Sequence, residues 1–148
     1  AIANNSSAQV YASDISEKAI QVARENLDSE NVLVIKSDVL ESIEEIFDVI
    51  VSNPPYIKTE VVKTLSNEVL AQPHLALDGG EDGLDIYKKI IEQAPNKLTE
   101  EGTLVLEIGY DQAKEVASLV ADKFSFVRVI KDLNGNDRVV IAKNKKVN

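Results

Sequence analysis

Three short stretches carry groups with chemical potential. The first is Ser52-Asn53-Pro54-Pro55-Tyr56, directly after the strand candidate Phe47–Val51. Pro55 forces Pro54 into an extended conformation. That can aim the Pro54 carbonyl and the Asn53 side-chain oxygen in one direction. Two convergent acceptors can hold both hydrogens of a planar NH2 group, and Tyr56 can stack on its flat face. The arrangement suits an amide or an aromatic amine. Its plainer reading is a rigid Pro-Pro turn. The second stretch is Ser13-Asp14-Ile15-Ser16. An acid at a strand end can accept hydrogen bonds from ribose hydroxyls, or it can help cap the next helix. The third is Lys36-Ser37-Asp38-Val39. There a carboxylate can accept the exocyclic amine of a purine, or it is an ordinary turn aspartate. His74, the single histidine, reads as a surface loop residue rather than a base.

Composition removes other chemistries. The 148 residues contain no cysteine, so disulfides, zinc–thiolate sites and thiol nucleophiles are excluded. One histidine excludes a multi-histidine metal centre, and no metal is expected. Lys plus Arg is 16 against 25 Asp plus Glu, a formal charge of −9. Such a chain is a poor binder of bare nucleic acid, where phosphate neutralisation dominates affinity. Lys143–Lys146 is a short basic tail expected to be solvated. Ala1–Ala12 is too short and too polar for a signal peptide or a membrane span, and no other stretch has the length of a spanning helix, so no membrane partner is expected and the expected location is the cytoplasm. The first residue is Ala and the chain has no Met, so either the start has been removed or the sequence is a piece of something longer.

Chemistry at strand ends needs a sheet to position it. The pattern predicts strands at Gln9–Ser13, Val32–Ile35, Phe47–Val51, Thr103–Ile108, Phe126–Ile130 and Val139–Ala142. A helix capped by Ser16 is predicted to run to about Leu27, burying Ile15, Ala19, Ala23 and Leu27. A weak helical turn is expected at Leu40–Glu45 and a helix within Lys58–Leu70. Ala71–Gly83 reads as a loop. Asp85–Leu98 is a predicted helix with Ile86, Ile90, Ile91 and Ala94 inward. Asp111 or Gln112 to Lys123 is another, with Ala113, Val116, Ala117 and Val120 inward. Strands alternating with helices predict a mostly parallel sheet covered on both faces. The eight residues Lys131–Arg138 are too few for a parallel crossover, which needs about a dozen. The last two strands therefore form a hairpin, with Asn134-Gly135 supplying the positive-φ turn. This combination resembles the methyltransferase variant of the doubly wound fold.

Asn53-Pro54-Pro55-Tyr56 resembles the NPPY motif of S-adenosylmethionine-dependent methyltransferases that modify nitrogen. Leu75–Leu84 (LALDGGEDGL) with Ile86-Tyr87, then Leu106-Glu107-Ile108-Gly109 and Asp132–Val140 (DLNGNDRVV), is similar to the HemK/PrmC family. These are the protein-(glutamine-N5) methyltransferases acting on peptide chain release factors. The likeness runs from about Ala1 to Ala142. It implies a Rossmann-like class I α/β fold, S-adenosyl-L-methionine as cofactor, and the glutamine of a Gly-Gly-Gln loop as substrate. By this resemblance the catalytic residues are Asn53, Pro54, Pro55 and Tyr56. Asn53 and Pro54 would bind the glutamine amide, with Tyr56 packed against it. Asp14 would hold the ribose, and Asp38 with Val39 would sit at the adenine. Ile15 and Asn53 are also expected among the cofactor contacts.

Two features depart from the family. Gln72-Pro73-His74 stands where the family usually shows Glu-Pro-Arg. The fingerprint glycines should precede the ribose acid by about 20 residues, and counting back from Asp14 lands before Ala1. All six glycines, from Gly79 onward, come too late. The expectation is therefore a catalytic domain over residues 1–148 that lacks its first strand and glycine turn. Alone, it is expected to bind cofactor weakly or not at all and to be inactive or weakly active. Alternatives are a ribosomal-protein glutamine or DNA adenine-N6 methyltransferase, and a non-catalytic truncated remnant. The charge disfavours DNA.

Overall fold

A computed structural model describes residues 7–27, 31–66 and 73–146. The chain divides into two compact units, Ala1–Glu44 and Glu45–Asn148.

The first unit is a strand–helix–strand repeat. β1 (Val10–Asp14) and β2 (Val32–Lys36) are parallel, in register from Val10 opposite Val32 to Asp14 opposite Lys36. α1 (Glu17–Asn26) connects them. Its start is fixed twice: Ser16 Oγ accepts the Ala19 N–H at 3.3 Å, and Asp14 Oδ1 accepts the Ser16 N–H at 2.8 Å. Each satisfies a donor that the helix itself leaves unpaired. Arg24 ties the helix to β2 by donating to the Val34 carbonyl at 3.1 Å. The buried stripe differs from the expected one. Ile15 is 47% exposed, and Ile20 is the buried residue. Ile15 precedes the cap, so the 3.6-residue period begins after it. Ile20, Ala23 and Leu27 then share the inner face. The expected turn at Leu40–Glu45 is present as a single turn, with Ile43 N–H donating to the Leu40 carbonyl at 3.2 Å.

The second unit is a four-stranded sheet in the order β3-β4-β6-β5. β3 (Phe47–Ser52) runs parallel to β4 (Leu98–Glu107). β6 (Asp137–Lys145) lies between β4 and β5 (Phe124–Lys131), antiparallel to both. The expected hairpin is thus present, with the last strand inserted beside β4. Gly135 takes φ +84° in its turn, the left-handed region that suits glycine. Asp132 Oδ1 accepts the N–H groups of Asn134 and Asn136 at 2.9 and 3.0 Å. Arg138 bridges Asp132 Oδ2 and the Ile108 carbonyl. The turn is thereby braced against the end of β4.

α2 (Thr59–Val62), α3 (Asp85–Gln93) and α4 (Ala113–Lys123) complete the unit. α4 packs on β5 and β6 and against α3. Leu104, Leu106, Ile108, Val116, Val120, Phe124 and Val140 are buried. Several boundaries differ from expectation. Only the one-turn α2 is described within Lys58–Leu70; residues 67–70 lie outside the described residues. The loop expected at Ala71–Gly83 contains a 3-10 turn at His74–Ala76, and its residues 71 and 72 are likewise outside. α3 stops at Gln93, a 3-10 turn covers Ala94–Lys97, and β4 already begins at Leu98. Pro95 has no N–H to continue the α-helical ladder. Tyr87, rather than Ile86, is fully buried in α3. The expected basic tail is partly strand. Lys145 lies in β6, donates to the carbonyls of Pro95 and Leu98, and pairs with Glu100 at 3.2 Å. No described helix is long and apolar enough to cross a membrane.

Candidate active site

In the second unit, Ser52 pairs with Leu106, so Asn53 leaves the sheet level with the end of β4. Pro54 is buried and anchors the turn, while Asn53 is exposed. No hydrogen bond of the Asn53 side chain is found among the described residues. Tyr56 is half-buried. Its ring lies over Gly109, where an added Cβ would come within 3.3 Å of Cδ2.

The chain leaving this turn is held by the glycine-rich loop. Ile57 N–H donates to the Leu77 carbonyl at 3.1 Å, and Gly79 N–H donates back to the Ile57 carbonyl at 2.8 Å. Ile57 and Asp78 thus form a parallel bridge. Thr59 N–H reaches the Gly80 carbonyl at 3.0 Å. This approach requires glycine at position 79. A Cβ there would sit 2.8 Å from both the Pro55 oxygen and the Tyr56 Cα. The LALDGGEDGL segment is therefore a brace for the Asn53–Tyr56 turn.

Asp78 organises the brace. Its Oδ1 accepts the Thr59 hydroxyl at 2.7 Å and the Gly80 N–H at 2.9 Å. These two bonds, the hydroxyl first, hold its carboxyl below the usual carboxylate range. His74 opens the 3-10 turn, is exposed, and has Nδ1 3.7 Å from Asp78 Oδ2. That position agrees with a surface loop residue. Tyr87 donates its hydroxyl to the Glu107 carbonyl at 2.8 Å. Burial pushes its phenol far above the usual range, so it stays a neutral donor.

Gln112 was missed in the sequence, where it reads only as one choice for a helix start. Its side chain is buried and bridges Gly109, Tyr56 and Gly83. Asp78 and Thr59 were also missed. The one available signal was the cluster Gly79, Gly80 and Gly83, since clustered glycines mark close backbone approach.

In the first unit, Asp14 and Asp38 lie at the carboxyl ends of the parallel pair. Ser37 N–H donates to the Asp14 carbonyl at 3.0 Å, and Ser13 Oγ donates to the Val39 carbonyl at 3.2 Å. Asp14 helps the Ser16 cap of α1 by accepting the Ser16 N–H at Oδ1, so the reading that it helps cap the helix is observed. Its side chain remains exposed, as does Ile15. Val39 has φ +56°, a left-handed conformation that β-branched residues rarely adopt. Such strain gathers at ligand sites. The structure thus groups Asp14, Ile15, Asp38 and Val39 in one unit and Asn53, Pro54, Pro55 and Tyr56 in the other.

Strand–helix–strand connections leading to a sheet with an inserted antiparallel last strand define the class I S-adenosylmethionine-dependent methyltransferase fold. A methyltransferase from Pyrococcus furiosus has this fold, with a TM-score of 0.67 at 23% identity over 92% of this chain and 62% of its own. The Thermus thermophilus 16S rRNA N2 G1207 methyltransferase, solved in complex with AdoMet and guanosine, aligns at a TM-score of 0.61 and 19% identity, over 92% of this chain and 31% of its own. The chain belongs to the methyltransferase small domain family, whose model matches residues 1–80. Among curated relatives, the release factor glutamine methyltransferase of Lactococcus lactis is 43% identical over 139 residues, 90% of this chain and 52% of that protein. The chain spans about half the length of the curated relatives it matches.

Proposed function

We propose that this chain is the catalytic part of a cytoplasmic protein-(glutamine-N5) methyltransferase acting on peptide chain release factors. The observation that carries the reading is the rigid Asn53–Tyr56 turn, anchored by buried Pro54 and braced by the Gly79–Gly83 loop. Its relatives' shared name supports the same substrate.

The residues of the first unit fit S-adenosylmethionine. Asp14 offers an exposed carboxylate whose Oδ1 is already oriented by the Ser16 N–H, leaving Oδ2 for ribose hydroxyls. Asp38 and the strained Val39 turn suit the adenine. When bound, the cofactor supplies an electrophilic methyl group. The chain's own task is the nucleophile. An amide nitrogen is poor because its lone pair is delocalised. Asn53 Oδ1 and the Pro54 carbonyl accept the two amide N–H groups and favour positive charge developing on nitrogen. They also aim its lone pair. Tyr56 covers the flat face of the amide and keeps water from it. The proton lost on methylation passes from the N–H held at the Asn53 oxygen to solvent, which reaches the exposed side of Asn53, so positioning and electrostatics replace a strong base.

The test is transfer of labelled methyl from S-adenosylmethionine by the full-length gene product to a release factor with an intact Gly-Gly-Gln loop. Label on that glutamine, lost when the loop glutamine is replaced by alanine, is the expected result. Label appearing instead on ribosomal protein or on adenine in DNA overturns the substrate assignment.

A further inference from the structure

Gln112 occupies a position that the amide chemistry does not itself explain. It stands before α4 with its backbone fixed on both sides: its N–H donates to the Gly109 carbonyl at 3.0 Å and its carbonyl accepts the Val116 N–H at 3.0 Å. The residue is 8% exposed. Oε1 accepts the Gly109 N–H at 3.1 Å. Nε2 donates one hydrogen to the Tyr56 carbonyl at 3.1 Å and the other to the Gly83 carbonyl at 3.1 Å. One planar head therefore joins three separate segments: the end of β4, the end of the Asn53–Tyr56 turn, and the far side of the glycine loop.

The neighbours are shaped for this head. A Cβ on Gly109 would meet Oε1 at 2.7 Å, and one on Gly83 would meet Nε2 at 2.9 Å and the Tyr56 oxygen at 2.6 Å. Gly83 also takes φ +76°. No other side chain of this length offers one acceptor and two donors in a plane. Glutamate keeps the acceptor but sets negative oxygen against two carbonyls. Asparagine is one methylene too short.

We propose that Gln112 is a positioning residue for methyl transfer, fixing the Asn53–Tyr56 turn so that its acceptors hold the substrate amide at the reactive angle. This rests on the amide-methylating reading above. Gln112 touches no substrate; it acts through the Tyr56 carbonyl, next to the Tyr56 ring and three residues from Asn53. Misplacement of a reacting group by about 1 Å can cost about 100-fold in rate, so losing this clip should fall on kcat.

The experiment uses the full-length gene product and a release factor carrying the Gly-Gly-Gln loop. Gln112→Glu removes the two donors at constant shape, and Gln112→Met removes all three bonds at similar volume. Each should lower kcat about 10- to 100-fold, with S-adenosylmethionine affinity, measured by calorimetry, changed less than about threefold. Each should also lose most of its effect on kcat in an Asn53→Ala background, because both act on one turn. A purely structural clip predicts the opposite: proportional loss of cofactor affinity, or effects that multiply with Asn53→Ala. Either of those, or an unchanged kcat, overturns the proposal. If Gln112→Glu fails to fold, Gln112→Met decides by the same criteria. If both fail to fold, Gln112 is structural and the proposal falls. If the wild-type protein does not methylate the glutamine, the functional reading fails first and this inference with it. Wild-type transfer together with unperturbed Gln112 variants removes this inference alone.

Discussion

The Gly79 N–H donates to the Ile57 carbonyl at 2.8 Å, which draws the glycine loop onto the backbone that leaves Tyr56. The contact is backbone on backbone, with no room for a side chain between. Gly79→Ala places a Cβ 2.8 Å from the Pro55 oxygen. It should cost about 1–3 kcal/mol of stability, the usual cost of overpacking, and should lower turnover by moving the turn. Gly135→Ala is the comparison. Nothing lies within 4 Å of its added Cβ, but φ is +84°, so it should cost about 1–2 kcal/mol from backbone conformation alone. Urea unfolding paired with turnover measurements checks both. Only the Gly79 variant should lose turnover beyond what its stability explains.

Asn53 presents an exposed amide on a turn held from behind. Asn53→Ala in the full-length protein should lower turnover about 100-fold, comparable to removing one preorganised polar contact from a transition state. Cofactor affinity should change only a few-fold. Steady-state kinetics beside a calorimetric titration separate the two. A large loss of cofactor affinity with turnover retained would place Asn53 in the cofactor site instead.

The repeating strands, the closing hairpin and the Asn53–Tyr56 turn were legible because each rests on local rules. Apolar runs mark buried strands, eight residues cannot make a parallel crossover, and Pro55 restricts Pro54. What stayed hidden depends on contacts far apart in sequence. Gln112 reaches Tyr56 across 56 positions and Gly83 across 29, and no local pattern distinguishes it from any polar residue at a helix start. The apolar spacing places Ile15 on the inner stripe, but it precedes the Ser16 cap, where the helical period has not begun, and it is exposed. The early end of α3 was readable in principle at Pro95. Sequence also could not show that Lys145 finds the carbonyls of Pro95 and Leu98, since that requires β6 to lie beside β4.

Four carboxylates, Glu17, Asp78, Asp82 and Asp132, are held below their ordinary values, and Asp78 and Asp132 brace the two turns. Asp78 is held below its ordinary value of 3.8 by the Thr59 hydroxyl and the Gly80 amide, and Asp132 chiefly by the Asn136 amide. A group whose folded pKa is depressed contributes stability that is fully present above its unfolded pKa. That contribution is lost as pH falls through the folded pKa. Both contributions should therefore be intact at neutral pH and fade below about pH 4. Asp78→Asn and Asp132→Asn should each be less stable than wild type at pH 7. The gap should narrow as pH is lowered to about 3. Urea midpoints across that range check the sign; a gap that widens on acidification would contradict it.

Val39 holds φ +56°, pinned by the Ser13 hydroxyl on its carbonyl at 3.2 Å. The left-handed region costs an ordinary residue about 1–2 kcal/mol, and asparagine tolerates it better because its short polar side chain can bond locally. A β-branched residue kept there is most readily understood if its side chain and strained turn serve a bound ligand. Val39→Asn should therefore raise stability by about 1 kcal/mol while weakening S-adenosylmethionine binding by the full-length protein. Thermal unfolding with and without cofactor separates the two effects. The variant should melt higher without the ligand and gain less from its addition. A variant that melts lower without ligand would mean that Val39 is packed for stability, and its φ would then carry no information about the cofactor.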